Sequence, residues 1–134
     1  MVIVPVDDGD VLWRRIPYDK LDQHTGKVTK RAYILPVKKP DAPDPAVSVY
    51  LAKRLSGPQE VATGPKTIQG VGRLIAAEVR SVEWDGLSLF SIWHRPDEDL
   101  PINHAHAEIE GVRTLGDCEI LARLTEIVLP PPQR

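Results

Sequence analysis

The run His104-Ala-His-Ala-Glu-Ile-Glu110 holds the densest set of chemistry-bearing side chains in the sequence. On a strand, successive side chains alternate between faces, so His104, His106, Glu108 and Glu110 would share one face. Two imidazoles two residues apart, with a carboxylate beyond them, can hold a divalent ion through His104, His106 and Glu108. His94, Asp97 and Asp99 precede the run and offer further ligands. Nearby carboxylates also favour the imidazolium form, which competes with metal binding. The plainer expectation is a polar strand face with its histidines hydrogen-bonded to their surroundings.

A second set is dispersed: Arg14 and Arg15, Ser48, and Glu108-Ile-Glu110. That order loosely resembles the arginine–serine–glutamate layout of mono-ADP-ribosyltransferases. The resemblance implies that Arg14 or Arg15 contacts NAD phosphates, Ser48 supports the pocket and Glu110 orients the nicotinamide ribose. A Ser-Thr-Ser-type element is missing, since Ser48 stands in Val-Ser-Val, and the chain is short for that fold. Histidine-triad nucleotide hydrolases carry a comparable alternating run of three histidines. Here Glu108 occupies the third place and no upstream elements match, so that family's roles are not transferred.

Other signals are weaker. Gly70-Val-Gly72 lacks both the third glycine of a dinucleotide fingerprint and a Gly-Lys-Ser/Thr element, so it reads as a turn. Cys118 stands where a helix would start, a place that lowers thiol pKa, yet a packing role is the simpler expectation. Trp84, next to Asp85-Gly86, is the tryptophan expected on the surface, where it could anchor an interface.

The elements that must carry these residues are bounded by proline. There are 13 prolines in 134 residues, which argues against a coiled coil or simple bundle, while 42% hydrophobic content argues against disorder. Strands are expected at Val11–Ile16, Arg31–Pro36, Val47–Tyr50, Leu87–Trp93 and His104–Glu110, with Leu87–Trp93 central because both its faces are largely apolar. Single helical turns are expected at Tyr18–Gln23 and Pro58–Ala62, and a short helix from Leu51 that stops at Gly57. Two principal helices are expected. Leu74–Arg80 follows from Val71, Ile75 and Val79 at i, i+4, i+8, although Trp84-Asp-Gly86 would also permit a hairpin. Cys118–Val128 would be capped by Asp117. The predicted fold class is α+β: a single small domain over residues 1–134, with a mainly antiparallel sheet of five or six short strands packed against two helices. An exposed proline-rich loop at 36–45 and a proline-rich tail at 130–134 complete it.

Net charge is −2, which argues against non-specific nucleic-acid binding. The charge is uneven: residues 38–80 carry seven basic and four acidic side chains, net +3, and residues 83–119 carry nine acidic and two basic, net −7. One cysteine excludes an intramolecular disulfide and a cysteine-based zinc cluster. The first residues form neither a secretory leader nor a membrane span, so a cytoplasmic location is expected. The leading functional expectation is a protein that binds another macromolecule, with a protein partner and no resident cofactor. The alternatives are a small enzyme acting on NAD or another phosphorylated substrate, and a domain binding a divalent metal.

Overall fold

The computed structural model describes residues 4–38, 40–41, 45–63, 68–96 and 102–132. Among these residues nine strands form: β1 (Val4–Pro5), β2 (Val11–Ile16), β3 (Val47–Leu51), β4 (Gly70–Ile75), β5 (Glu83–Trp84), β6 (Leu87–Ser88), β7 (Ser91–His94), β8 (His106–Glu110) and β9 (Glu126–Leu129). The helices are α1 (Gln59–Ala62), α2 (Ala76–Arg80) and α3 (Leu115–Leu124), with 3-10 turns at Tyr18–Lys20, Lys30–Tyr33, Ala52–Arg54 and Asn103–Ala105. The main sheet runs β1-β7-β8-β3-β2-β4-β9, antiparallel throughout; six strands carry it and the two-residue β1 finishes one edge. The chain is thus a small α+β domain, as its composition and patterning predict.

Period-two alternation decides what each sheet face meets. Leu12 and Ile16 of β2, Val47, Val49 and Leu51 of β3, and Ala107 and Ile109 of β8 are buried in one core with Tyr33 and the α3 residues Cys118, Leu121 and Ala122. The opposite face carries a smaller core, in which Tyr50 and Val71 meet Val61 and Ala62 of α1, Ala105 and part of Trp13. Burying a large aliphatic side chain contributes about 1.5–3 kcal/mol, so both faces add to stability. Among the described residues no helix is long and apolar enough to cross a membrane.

Several expected elements differ. Residues Gly70–Ile75, of which Gly70–Gly72 were expected in a turn and Leu74 and Ile75 in a helix, form β4 and pair with β2 along their whole length, from Val11↔Ile75 to Ile16↔Gly70. The helix is only Ala76–Arg80. An i, i+4 spacing is even, so Val71 and Ile75 share a face in a strand as well as in a helix. Branched side chains suit the strand, and the pairing with β2 decides for it.

The last helix spans Leu115–Leu124, not Cys118–Val128. Thr114 is its cap: Oγ1 accepts from the Asp117 amide at 3.1 Å while the Asp117 carboxylate accepts from the amides of Thr114 and Arg113. Asp117 is therefore the third helical residue of a capping box. Beyond it, Glu126–Leu129 leaves the helix to pair with the free edge of β4.

Leu87–Trp93 is not one central strand. It divides into β6 and β7, and β7 lies between β8 and the edge strand β1. Arg31–Pro36 is not a strand either, because both edges of β3 are taken by β2 and β8; Lys30–Tyr33 coils instead and drives Tyr33 into the core. The residues after Leu51 form only a 3-10 turn at Ala52–Arg54. Strand β8 starts at His106, leaving His104 in the preceding 3-10 turn. The helical turns near Tyr18 and Pro58 occur where expected. In the proline-rich loop the described Pro36, Val37, Lys38, Pro40 and Asp41 are exposed, Pro45 is half-buried rather than exposed, and Pro43 lies outside the described residues. The tail is not wholly exposed: Pro131 is buried against Gly70, where an added Cβ would stand 2.6 Å from the proline ring.

Candidate functional site

Arg14 lies on the core-facing side of β2, between Leu12 and Ile16, where no side chain can leave a charge unattended. Its guanidinium is held by carbonyls, with Nε and Nη2 donating to that of Ala32 at 3.1 and 2.6 Å and Nη1 to that of Ser48 at 2.8 Å. Its Cζ stands 4.9 Å from the centre of the Tyr33 ring, a cation–π contact. All of these partners are neutral. Burial lowers the Arg14 pKa, against the opposing pull of Tyr33, Tyr50 and Cys118. Arg15, on the other face, donates Nε to the Val61 carbonyl at 2.8 Å.

Arg14, Arg15 and Ser48 line one open cleft of about 460 Å³. Lys20, Arg31, Tyr50 and Gln69 complete its polar wall. Lys20 and Arg31 arrive there because the two 3-10 turns fold back beside the sheet, with Arg31 Nη1 donating to the Asp19 carbonyl at 3.1 Å. Neither residue was singled out in the sequence, since nothing local in Asp19-Lys20 or Lys30-Arg31 distinguishes a cleft cation from a surface one.

Ser48 is joined to the histidine run. His106 Nδ1 donates to the Arg95 carbonyl at 2.7 Å, and its Nε2 lies 3.2 Å from Ser48 Oγ. In the tautomer with the proton on Nδ1, Nε2 accepts a hydrogen bond from the Ser48 hydroxyl. The imidazole also stands edge-on to Tyr50, with ring centres 5.8 Å apart. The result is an oriented serine beside cations, with the histidine fixed by a backbone carbonyl.

The expected four-residue face is only partly assembled. His106, Glu108 and Glu110 do lie on one face of β8, alternating with buried Ala107 and Ile109. His104 lies off the strand and donates Nε2 to the Arg54 carbonyl at 3.0 Å. His94 donates Nε2 to the His104 carbonyl at 2.8 Å. Glu108 and Glu110 both pair with Arg95, Glu108 at 3.1 Å. The histidines thus turn to carbonyls and the carboxylates to an arginine, so His104, His106 and Glu108 do not converge. Among the described residues no three His, Cys, Asp or Glu side chains are grouped to hold a metal ion. Asp97 and Asp99 lie outside the described residues.

Glu110 does not reach the Arg14–Arg15–Ser48 cleft. It lines a separate cleft of about 520 Å³ with Lys38, Arg95 and Arg113. Register explains the separation: Ser48 pairs with Glu108, leaving Glu110 two residues further along β8. Arg95 was missed in the sequence because its role depends on β7 and β8 being neighbours. Cys118 packs in the core, where it donates to the Tyr33 carbonyl at 3.3 Å and burial pushes its thiol pKa up rather than down.

A different feature stands on the surface. Strands β5 and β6 form a separate two-stranded hairpin in which Trp84 pairs with Leu87. Asp85 and Gly86 make the turn with φ of 54° and 80°, the two left-handed residues of a type I′ turn, for which Asp-Gly is well suited. Trp84 is 78% exposed and Leu87 74% exposed. The hairpin is rooted on α2: Ser88 Oγ donates to the Arg80 carbonyl at 2.8 Å and the Leu89 amide to the Val82 carbonyl at 2.9 Å. The exposed tryptophan was legible in the sequence; its apolar partner Leu87 was assigned to a sheet interior instead.

The chain matches no protein-family profile, no curated protein and no solved structure.

Proposed function

We propose that this protein acts by binding another protein, through the β5–β6 hairpin. The observation that carries the reading is the exposed cross-strand pair of Trp84 and Leu87 at the tip of a well-defined turn. Tryptophan is enriched among residues that dominate interface energies, and a rigid turn lowers the ordering cost of docking. Exposed Glu83 and Asp85 sit beside the pair. The complementary surface is therefore an apolar pocket on the partner, rimmed by lysine or arginine. The site of action is taken to be the cytoplasm, where the unpaired, buried Cys118 stays reduced.

Quantitative affinity capture from native host cells tests the reading, with wild type compared against a Trp84→Ala/Leu87→Ser variant. The expected result is one protein retained in a fixed molar ratio by wild type and lost with the variant. Identical retention by both would overturn it.

A second reading, an enzyme acting on NAD or another phosphorylated substrate, draws support from Arg14, Arg15 and Ser48 sharing a cleft. With Glu110 held elsewhere by Arg95, the resemblance to the arginine–serine–glutamate layout supplies no carboxylate for that cleft from its described lining residues. Binding is the better supported function.

A further inference from the structure

We infer that the cleft between Arg14, Arg15, Lys20 and Arg31 is a binding site for the phosphate group of a small phosphorylated molecule. Four cationic side chains line it, and no carboxylate is among its described lining residues. Among the described residues, Arg14, Arg15 and Arg31 form no ion pair with a carboxylate, and their guanidinium groups donate to the carbonyls of Ala32, Ser48, Val61 and Asp19. Lys20 has a loose ion pair with the Asp19 carboxylate, at 3.9 Å, as its one ion pair among the described residues. The carboxylate nearest Ser48 by register is Glu108, which is taken by Arg95.

Like charges gathered in a recess repel one another, and carbonyl dipoles orient a guanidinium without cancelling its charge. An anion entering the cleft supplies the missing countercharge. The carbonyls use Nε of Arg15 and Nη1 of Arg31, which leaves both Nη groups of Arg15 and Nη2 of Arg31 as donors; guanidinium donors match phosphate oxygens in pairs. Arg14 is fixed by three hydrogen bonds and the Tyr33 ring, so its charge is placed before any ligand arrives. The oriented Ser48 hydroxyl and the Tyr50 side chain supply a neutral wall. A recess of about 460 Å³ suits a small molecule rather than a polymer. The net charge of −2 likewise disfavours a polyanion such as nucleic acid.

Isothermal titration with inorganic pyrophosphate and with a nucleoside diphosphate, at constant ionic strength, tests the site. One equivalent of pyrophosphate should bind, and an Arg15→Gln/Arg31→Gln variant should bind at least about tenfold more weakly. Lys20→Gln, which among the described residues removes only the loose 3.9 Å pair with Asp19, should weaken binding in the same direction and guards against a folding defect in the double variant. Absence of binding at millimolar pyrophosphate, or equal binding by all variants, would overturn the inference. So would tighter binding of a single-stranded oligonucleotide that displaces pyrophosphate, because the site would then serve a polymer.

Discussion

Gly111 offers a sharp test of the packing described above. It follows the last residue of β8 and has φ of 103°, and a Cβ built on it would stand 2.4 Å from the Leu89 carbonyl oxygen. Gly111→Ala therefore carries two costs. The left-handed backbone disfavours an L side chain by about 1–2 kcal/mol. Relieving the overlap requires the backbone at Leu89 to move, and forcing a group into packed structure costs about 1–3 kcal/mol. The expected loss is about 2–5 kcal/mol, which for a domain of this size lowers Tm by roughly 6–25 °C. Gly86→Ala separates the terms, because Gly86 has φ of 80° but open space around its Cβ position. It should cost only the conformational term, about 1–2 kcal/mol. Gly9→Ala, with open space and no left-handed backbone, serves as the neutral control. Urea and thermal unfolding followed by circular dichroism give all three values. If Gly111→Ala costs no more than Gly86→Ala, the close approach of β8 to Leu89 is wrong.

Burial pushes the Tyr33 phenol up to about 12 from 10, opposed by Arg14 and by the hydrogen bond at 2.6 Å to Thr125. Because the folded value is the higher one, this stability is complete below pH 10 and is lost as pH rises through about 12. About 3 kcal/mol should disappear over that interval, and Tyr33→Phe should abolish that component in urea titrations at a series of alkaline pH values. Thr114→Ala removes the cap of α3 and should cost about 1 kcal/mol, read as a shift of the urea midpoint with unchanged slope. By contrast, Trp84→Ala/Leu87→Ser removes two exposed side chains and should change unfolding free energy by less than about 1 kcal/mol, so any loss of binding reflects the interface.

What the sequence disclosed followed from how local each signal is. Asp85-Gly86 encodes a turn in two residues, so the exposure of Trp84 was readable. Strand β3 was readable from its branched side chains, and β2 from the alternation of Val11–Ile16. Val71, Ile75 and Val79 were not, because their spacing satisfies both the strand and the helix period, and only the pairing of β4 with β2 resolves it. Likewise, Thr125–Leu129 extends the apolar stripe of α3 but is drawn to the free edge of β4, a partner distant in sequence. The candidate sites show the same division. The common face of His106, Glu108 and Glu110 came from alternation. Their separation into a serine-linked histidine and two arginine-bound carboxylates depends on Arg95, which only the β7–β8 pairing brings near. The cleft assembles cations from β2 and two 3-10 turns, and no single stretch contains that pattern.

The central claim is that the hairpin tip is where a partner protein docks. Replacing Trp84 with the photoreactive residue p-benzoylphenylalanine, in native host cells, reads contact at that position directly. The same replacement at Leu115, another exposed large apolar residue on α3, provides the comparison. A single adduct of defined mass on irradiation, formed from position 84 and not from position 115, is the predicted result. No adduct from position 84, or the same adducts from both positions, would contradict the claim.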